Sequence, residues 1–173
     1  MKKTWIVAAV LMGMSAGHAF ADGPRNFRAD LTGYEEVPAF SSAGHGKFEA
    51  RISKDGTMVE WQLSYGDLAS PIRQSHIHFG QAGVNGSISV FLCTNLGNGP
   101  AGTAVCPQSP GSISGIFVAA DVIGPATQGI SAGELAELIA AIRAGVAYVN
   151  VHTDVSPGGE VRGQLRPGLG SPN

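Results

Sequence analysis

The chain has 173 residues, 14% of them charged, with 11 Lys and Arg against 13 Asp and Glu and a formal net charge of −2. Without a basic excess, nothing points to nucleic acid as a partner. The length suits one domain with its own core, and 25 glycines among the 173 residues point to many short elements joined by tight turns.

In chain order, Lys2 and Lys3, an apolar run from Trp5 to about Met14 and small residues ending in Ala19-Phe20-Ala21 predict a secretory signal peptide cut after Ala21. A membrane anchor needs about 20 apolar residues, and Gly13, Ser15, Gly17 and His18 interrupt this stretch too early. Cleavage removes 21 of 173 residues and leaves 152, with nine basic and thirteen acidic side chains and a formal charge of −4. No later segment is long and apolar enough to span a bilayer, so one soluble domain over 22–173 is expected in the periplasm or the medium.

Alternating apolar and polar residues predict strands over Phe27–Leu31, Gly46–Ser53, Met58–Tyr65, Ser75–Phe79, Ser87–Leu92, Ser112–Val118, Ala147–His152 and Glu160–Leu165. Lys54-Asp55-Gly56-Thr57 reads as a hairpin turn, since Asp-Gly tolerates the positive φ such turns need. Ser131-Ala-Gly-Glu134 reads as a capping box opening one helix over Ala132–Ala144, with Leu135, Leu138, Ile139 and Ile142 on one face and Gly145 to end it. The expected fold is all-β: an antiparallel, Greek-key-like sandwich or barrel with this helix covering one end. Asp22–Asn26 and Pro167–Asn173 read as mobile tails.

Cys93 and Cys106 are the two cysteines, with twelve residues between them. In an oxidising compartment such a pair is usually a disulfide, and the CxxC spacing of a redox or metal site is missing.

Four of the five histidines lie beyond the signal peptide: His45, His76, His78 and His152. Each falls in or beside a predicted strand. The period-two geometry of a strand sends both imidazoles of His76-Ile77-His78 to one face, about 6.6–6.8 Å apart at Cα, and Ile77 to the other. In Tyr148-Val-Asn-Val-His152 the two valines face one way, and Tyr148, Asn150 and His152 the other. His152 could therefore join the His76–His78 pair on one metal ion, with His45 arriving from the strand that begins at Gly46. A lone strand histidine is more often a hydrogen-bonded structural residue; the H-x-H pair with two further strand histidines favours metal. Glu35, Glu36 and Glu160 sit in turn contexts and read as solvated carboxylates, although Glu160 is available to orient Arg162 or a histidine. Gly83-Val-Asn-Gly86 and Pro157-Gly-Gly159 read as turns rather than phosphate cradles, since no helix follows them.

Leu31-Thr-Gly-Tyr-Glu-Glu-Val-Pro38, Ser75-His-Ile-His-Phe-Gly80 with Gly83-Val-Asn-Gly86, and Tyr148-Val-Asn-Val-His-Thr153 with Gly159-Glu-Val-Arg-Gly-Gln-Leu165 resemble the CHRD domain, the module named after chordin. The resemblance runs from about Phe27 to Arg166 and implies a β-sandwich or barrel, in a family without one settled activity. A second likeness, of constellation and not of alignment, is to copper/zinc superoxide dismutases. These are Greek-key barrels that hold copper with an H-x-H pair and two further histidines and place an arginine beside the metal. That likeness implies His76 and His78 as the pair, His152 and His45 as candidates for the rest, and Arg162 as the candidate catalytic guide for the anion.

The order departs from that family, because His45 precedes the pair, and the ligands for a second, zinc site are too few. Copper is the first expectation, since imidazole-rich sites bind Cu²⁺ most tightly of the divalent series, and zinc the second. The expected activity is dismutation of superoxide, against a non-catalytic copper store, carrier or extracellular binding module. A zinc hydrolase, for which Glu160 alone offers a base, ranks third.

Overall fold

The computed structural model describes residues 23–168, so the expected signal peptide lies outside the described residues, as does the tail beyond 168. Apolar residues at every second position build the strands. β1 (Asn26–Thr32) turns Phe27, Ala29 and Leu31 inward, and β2 (His45–Ile52) turns Phe48 and Ile52 inward. β3 (Met58–Gly66) does the same with Val59, Trp61 and Leu63. Each such side chain stabilises by roughly 1.5–3 kcal/mol when fully buried. The β2–β3 turn forms where Asp-Gly predicts it, with Gly56 at φ 69° and Asp55 Oδ1 accepting from the Thr57 N–H.

β4 (Ile72–Phe79), β5 (Ser87–Thr94), β6 (Gly111–Val118), β7 (Ala147–Thr153), β8 (Val161–Gln164) and the short β9 (Arg166–Pro167) complete the sheet. The strands run antiparallel in the order β5-β4-β7-β8-β1-β2-β3-β6, with β9 paired to β1. The result is a nearly closed, barrel-like sheet, the all-β architecture expected. All eight predicted strands are present, with no end shifted by more than three residues.

The helix differs at its start. α1 spans Leu135–Arg143, three residues later than predicted, because Gly133 adopts φ 87° and breaks the path. Glu134 Oε2 still accepts from the Ser131 N–H at 2.6 Å, but this bond closes a turn ahead of the helix. Gly145, at φ 72°, ends it as expected. Leu135, Leu138, Ile139 and Ile142 are buried in the core with the strand residues.

β7 is central, between β4 and β8, and every one of its seven residues is buried. Val149 and Val151 face the core. Tyr148, Asn150 and His152 face the other way, where alternation alone predicts solvent. Segments around Glu36, Gly86 and Pro157 supply side-chain or carbonyl partners to these three residues. That covered polar face holds His76, His78 and His152.

Candidate metal centre

β4 places His76 and His78 on one face and sends Ile77, fully buried, to the other. Pairing with β5 slips between Ser75 and His76 and again between Ile77 and His78. Such irregularities bend a strand and re-aim its side chains, and here they flank the two imidazoles. β7 brings His152 alongside, in register with Gln74 and diagonal to His76.

One nitrogen from each of His76, His78 and His152 lies within 4.8 Å of the others. His76 Nδ1 and His152 Nε2 are 3.1 Å apart. Two nitrogens sharing one ion at about 2.0–2.1 Å, between right-angled and tetrahedral geometry, stand about 2.9–3.4 Å apart. The Nε2 of His78 is buried without any hydrogen-bond partner. Buried polar atoms are normally satisfied, so this unpartnered nitrogen fits a metal ion.

The ring orientations are fixed from behind. His78 Nδ1–H donates to the Gly86 carbonyl and His152 Nδ1–H to the Pro157 carbonyl, each at 3.0 Å. A carbonyl can only accept, so both neutral rings carry the proton on Nδ1 and present the Nε2 lone pair. Burial holds all three rings neutral. It drives His76 down to about 2, helped by the neighbouring His152 and His78 charges. It drives His78 and His152 each to about 4 against the opposing effect of their carbonyl partners. Phe91, edge-on to His76 at 4.4 Å between ring centres, adds to that desolvation.

His45 is not brought to this group. It pairs with Thr32 and Gly66, and its side chain is 61% exposed beside Asp67. β2 lies three strands from β7 in the sheet, roughly 14 Å at ordinary strand spacing. Its side chain shares the outward face with the histidine group, at the far end of the cross-strand row His45, Thr32, Arg162, Asn150, His76, so separation along the sheet, not orientation, keeps it away. The expectation of His45 as a fourth ligand is corrected by that separation.

Arg162 is near the group but not against it. Tyr148 intervenes, stacked on His78 at 4.8 Å with the planes 5° apart, while the Arg162 guanidinium lies 3.4 Å from the centre of the same ring. β7 stands between β4 and β8, so the two groups occupy opposite faces of Tyr148. Arg162 is 1% exposed and donates to Asn85 Oδ1, Gln81 O and Val84 O.

Glu36 and Glu160 depart from their reading as solvated carboxylates, whereas Glu35 is exposed as expected. Glu160 is fully buried and accepts from Ser42 Oγ, the Ala69 N–H and Thr153 Oγ1, so its lone pairs serve the fold and neither Arg162 nor a histidine. Glu36, 7% exposed, accepts from Asn150 Nδ2 at 2.6 Å. Burial pushes its carboxyl up to about 7, against the opposing pull of Arg162. Asn150 faces His76 across the β4–β7 pair, which puts an acid that is half protonated near neutrality one residue from the centre. Glu36, Tyr148 and Asn150 are the site residues that sequence reasoning missed; the one available signal was the shared parity of Tyr148, Asn150 and His152.

Cys93 and Cys106 are joined in a disulfide, the bond an oxidising compartment sustains. Among the described residues no helix is long and apolar enough to cross a membrane. The model of the CHRD domain family matches residues 27–165, and the chain belongs to that family. Comparison with curated proteins and with solved structures gave no match.

Proposed function

We propose that this protein is exported and binds one copper ion through His76, His78 and His152, as a copper-only centre that dismutates superoxide. The observation that carries the reading is the convergence of three imidazole nitrogens within 4.8 Å, two of them with carbonyl bonds behind the ring. Three neutral nitrogen donors suit Cu²⁺ above the other divalent ions of the first row, with Zn²⁺ next. Ligands on adjacent central strands favour a resident ion over one in transit.

Bound copper would supply one-electron chemistry, taking an electron from one superoxide, which leaves as oxygen, and returning it to a second, which takes up two protons as hydrogen peroxide. The chain's own groups would do the rest. The histidines hold the site neutral of protons. The Arg162 charge, buried behind Tyr148, adds a positive field that attracts an anion without touching it. The Glu36 carboxyl, protonated in part near neutrality, holds a proton beside Asn150 for the reducing half of the cycle.

The test is metal analysis of the protein purified from an exporting host, then superoxide decay by the copper-loaded form. One copper per chain with accelerated decay is expected. Copper bound without decay would place the protein with non-catalytic stores or carriers. No tight copper would end the reading.

A further inference from the structure

We propose that Arg162 is a positioning residue of the metal centre: it clamps the 80–86 turn and, through Tyr148 and Gly86, holds His78 in the tautomer and ring plane that present Nε2 to the metal. The inference rests on the metal-binding reading above.

The turn needs a clamp. Residues 81–85 between β4 and β5 are all exposed and lie outside the sheet pairing. Their one backbone bond within the turn runs from the Val84 N–H to Gln81 O at 3.2 Å. Arg162 reaches into this turn from β8 with a bond to the Asn85 side chain and bonds to the carbonyls of Gln81 and Val84, the last at 2.7 Å. Asn85 in turn donates to Val37 O at 2.8 Å.

Gly86 closes the turn and is bonded twice on its own account. Its N–H donates to Tyr148 Oη at 3.1 Å, and Tyr148 Oη–H donates to its carbonyl at 3.3 Å. That carbonyl is the one that takes the His78 Nδ1 proton. Gly86 has no alternative, since a Cβ there would overlap the Phe79 carbonyl. The Tyr148 ring, pressed between the guanidinium and the imidazole, sets the plane of His78.

The fold by itself does not call for this cation. The carbonyls of an exposed turn are readily hydrated, whereas burying a guanidinium on neutral acceptors is costly. A neutral imidazole otherwise exchanges between two tautomers, and only the one protonated on Nδ1 offers Nε2 to an ion. Groups that fix a ligating histidine in this way typically contribute 10- to 100-fold in metal affinity.

The experiment reads both quantities in Arg162→Ala: the ¹⁵N shifts of the His78 ring in metal-free protein, and copper affinity by chelator competition. The wild type should show His78 as the Nδ1–H tautomer. The variant should show exchange between tautomers and bind copper 10- to 100-fold more weakly. Arg162→Lys should not rescue, because one ammonium cannot reach the same acceptors in the same fork. Asn85→Ala, at an exposed position, loosens the turn without touching the core and should shift both readouts in the same direction by less. An unchanged His78 tautomer in Arg162→Ala, or in Asn85→Ala should the first variant fail to fold, would overturn the inference. Loss of tautomer order in a protein whose wild type binds no copper would instead sustain the clamp and refute the copper reading.

Discussion

His76 Nδ1 lies 3.1 Å from His152 Nε2, across 76 residues of chain and one strand pair. With the His152 proton on Nδ1 toward the Pro157 carbonyl, the His152 Nε2 lone pair accepts the Nδ1–H of a neutral His76. A metal ion held by both nitrogens would take the place of that shared proton.

The first expected outcome is a pH dependence of the metal-free protein. The three histidines ionise near 6.5 when unfolded and at about 2, 4 and 4 when folded. Their depressed values mean that stability is fully present above 6.5 and is lost as pH falls toward 4, because the unfolded chain binds protons that the folded one refuses. Glu36 works the other way: raised from 4.5 to about 7, it contributes stability below 4.5 that is lost as pH rises through 7. With three groups against one, denaturant midpoints in a chelator should rise from pH 4.5 to 6.5, with a net uptake of about two protons on unfolding. A flat profile would contradict the buried, neutral cluster.

Glu36→Gln separates proton supply from metal binding. Copper affinity should change little, since Asn150 stands between Glu36 and the histidines in the chain of contacts. If superoxide is the substrate, the wild-type rate should fall as pH rises through about 7, and the variant should be slower and lack that limb. Stopped-flow decay across pH 5.5–9, a range of about two pH units around that value, distinguishes the two.

Glu160→Gln should act on the fold alone. An amide in place of the carboxylate sets an N–H against one of the three donors that Glu160 now receives. A loss of about 1–3 kcal/mol is expected, with one copper still bound at the wild-type affinity. Loss of copper with unchanged stability would return Glu160 to the metal centre.

The site was half legible in the sequence. The period of two placed His76 with His78 and turned Ile77 away, and it put His152 on the polar face of its strand. It does not say which strands are neighbours, so His45 looked equivalent to His152 although β2 lies three strands from β7. Nor does it report cover. Glu36 and Glu160 sit in contexts that read as turns, yet segments from distant parts of the chain bury them, as they bury Arg162 in its strand. The helix shows the same limit: Ser131 and Glu134 have the capping-box spacing, yet the left-handed backbone of Gly133 delays the first turn.

Cys93→Ser with Cys106→Ser tests whether the loop between them supports the fold or the site. The bridge closes a loop of sequence separation 13, and its removal should cost about 3 kcal/mol on the chain-entropy model. The loop is also held by Asn95, which bonds Ile72 O and Cys106 O, so the folded variant should keep its copper. A lower melting temperature with an unchanged copper affinity is expected in calorimetry and chelator competition. Loss of copper in a variant that remains folded would mean that the bridge is needed to hold the histidines.

Copper stoichiometry under a competing chelator, measured side by side on wild type, His78→Ala and His45→Ala, tests the central claim most directly. One copper per chain in the wild type and in His45→Ala, and none retained by His78→Ala, is the predicted result. Full occupancy in His78→Ala, or loss of copper on replacing the exposed His45, would contradict the three-histidine centre.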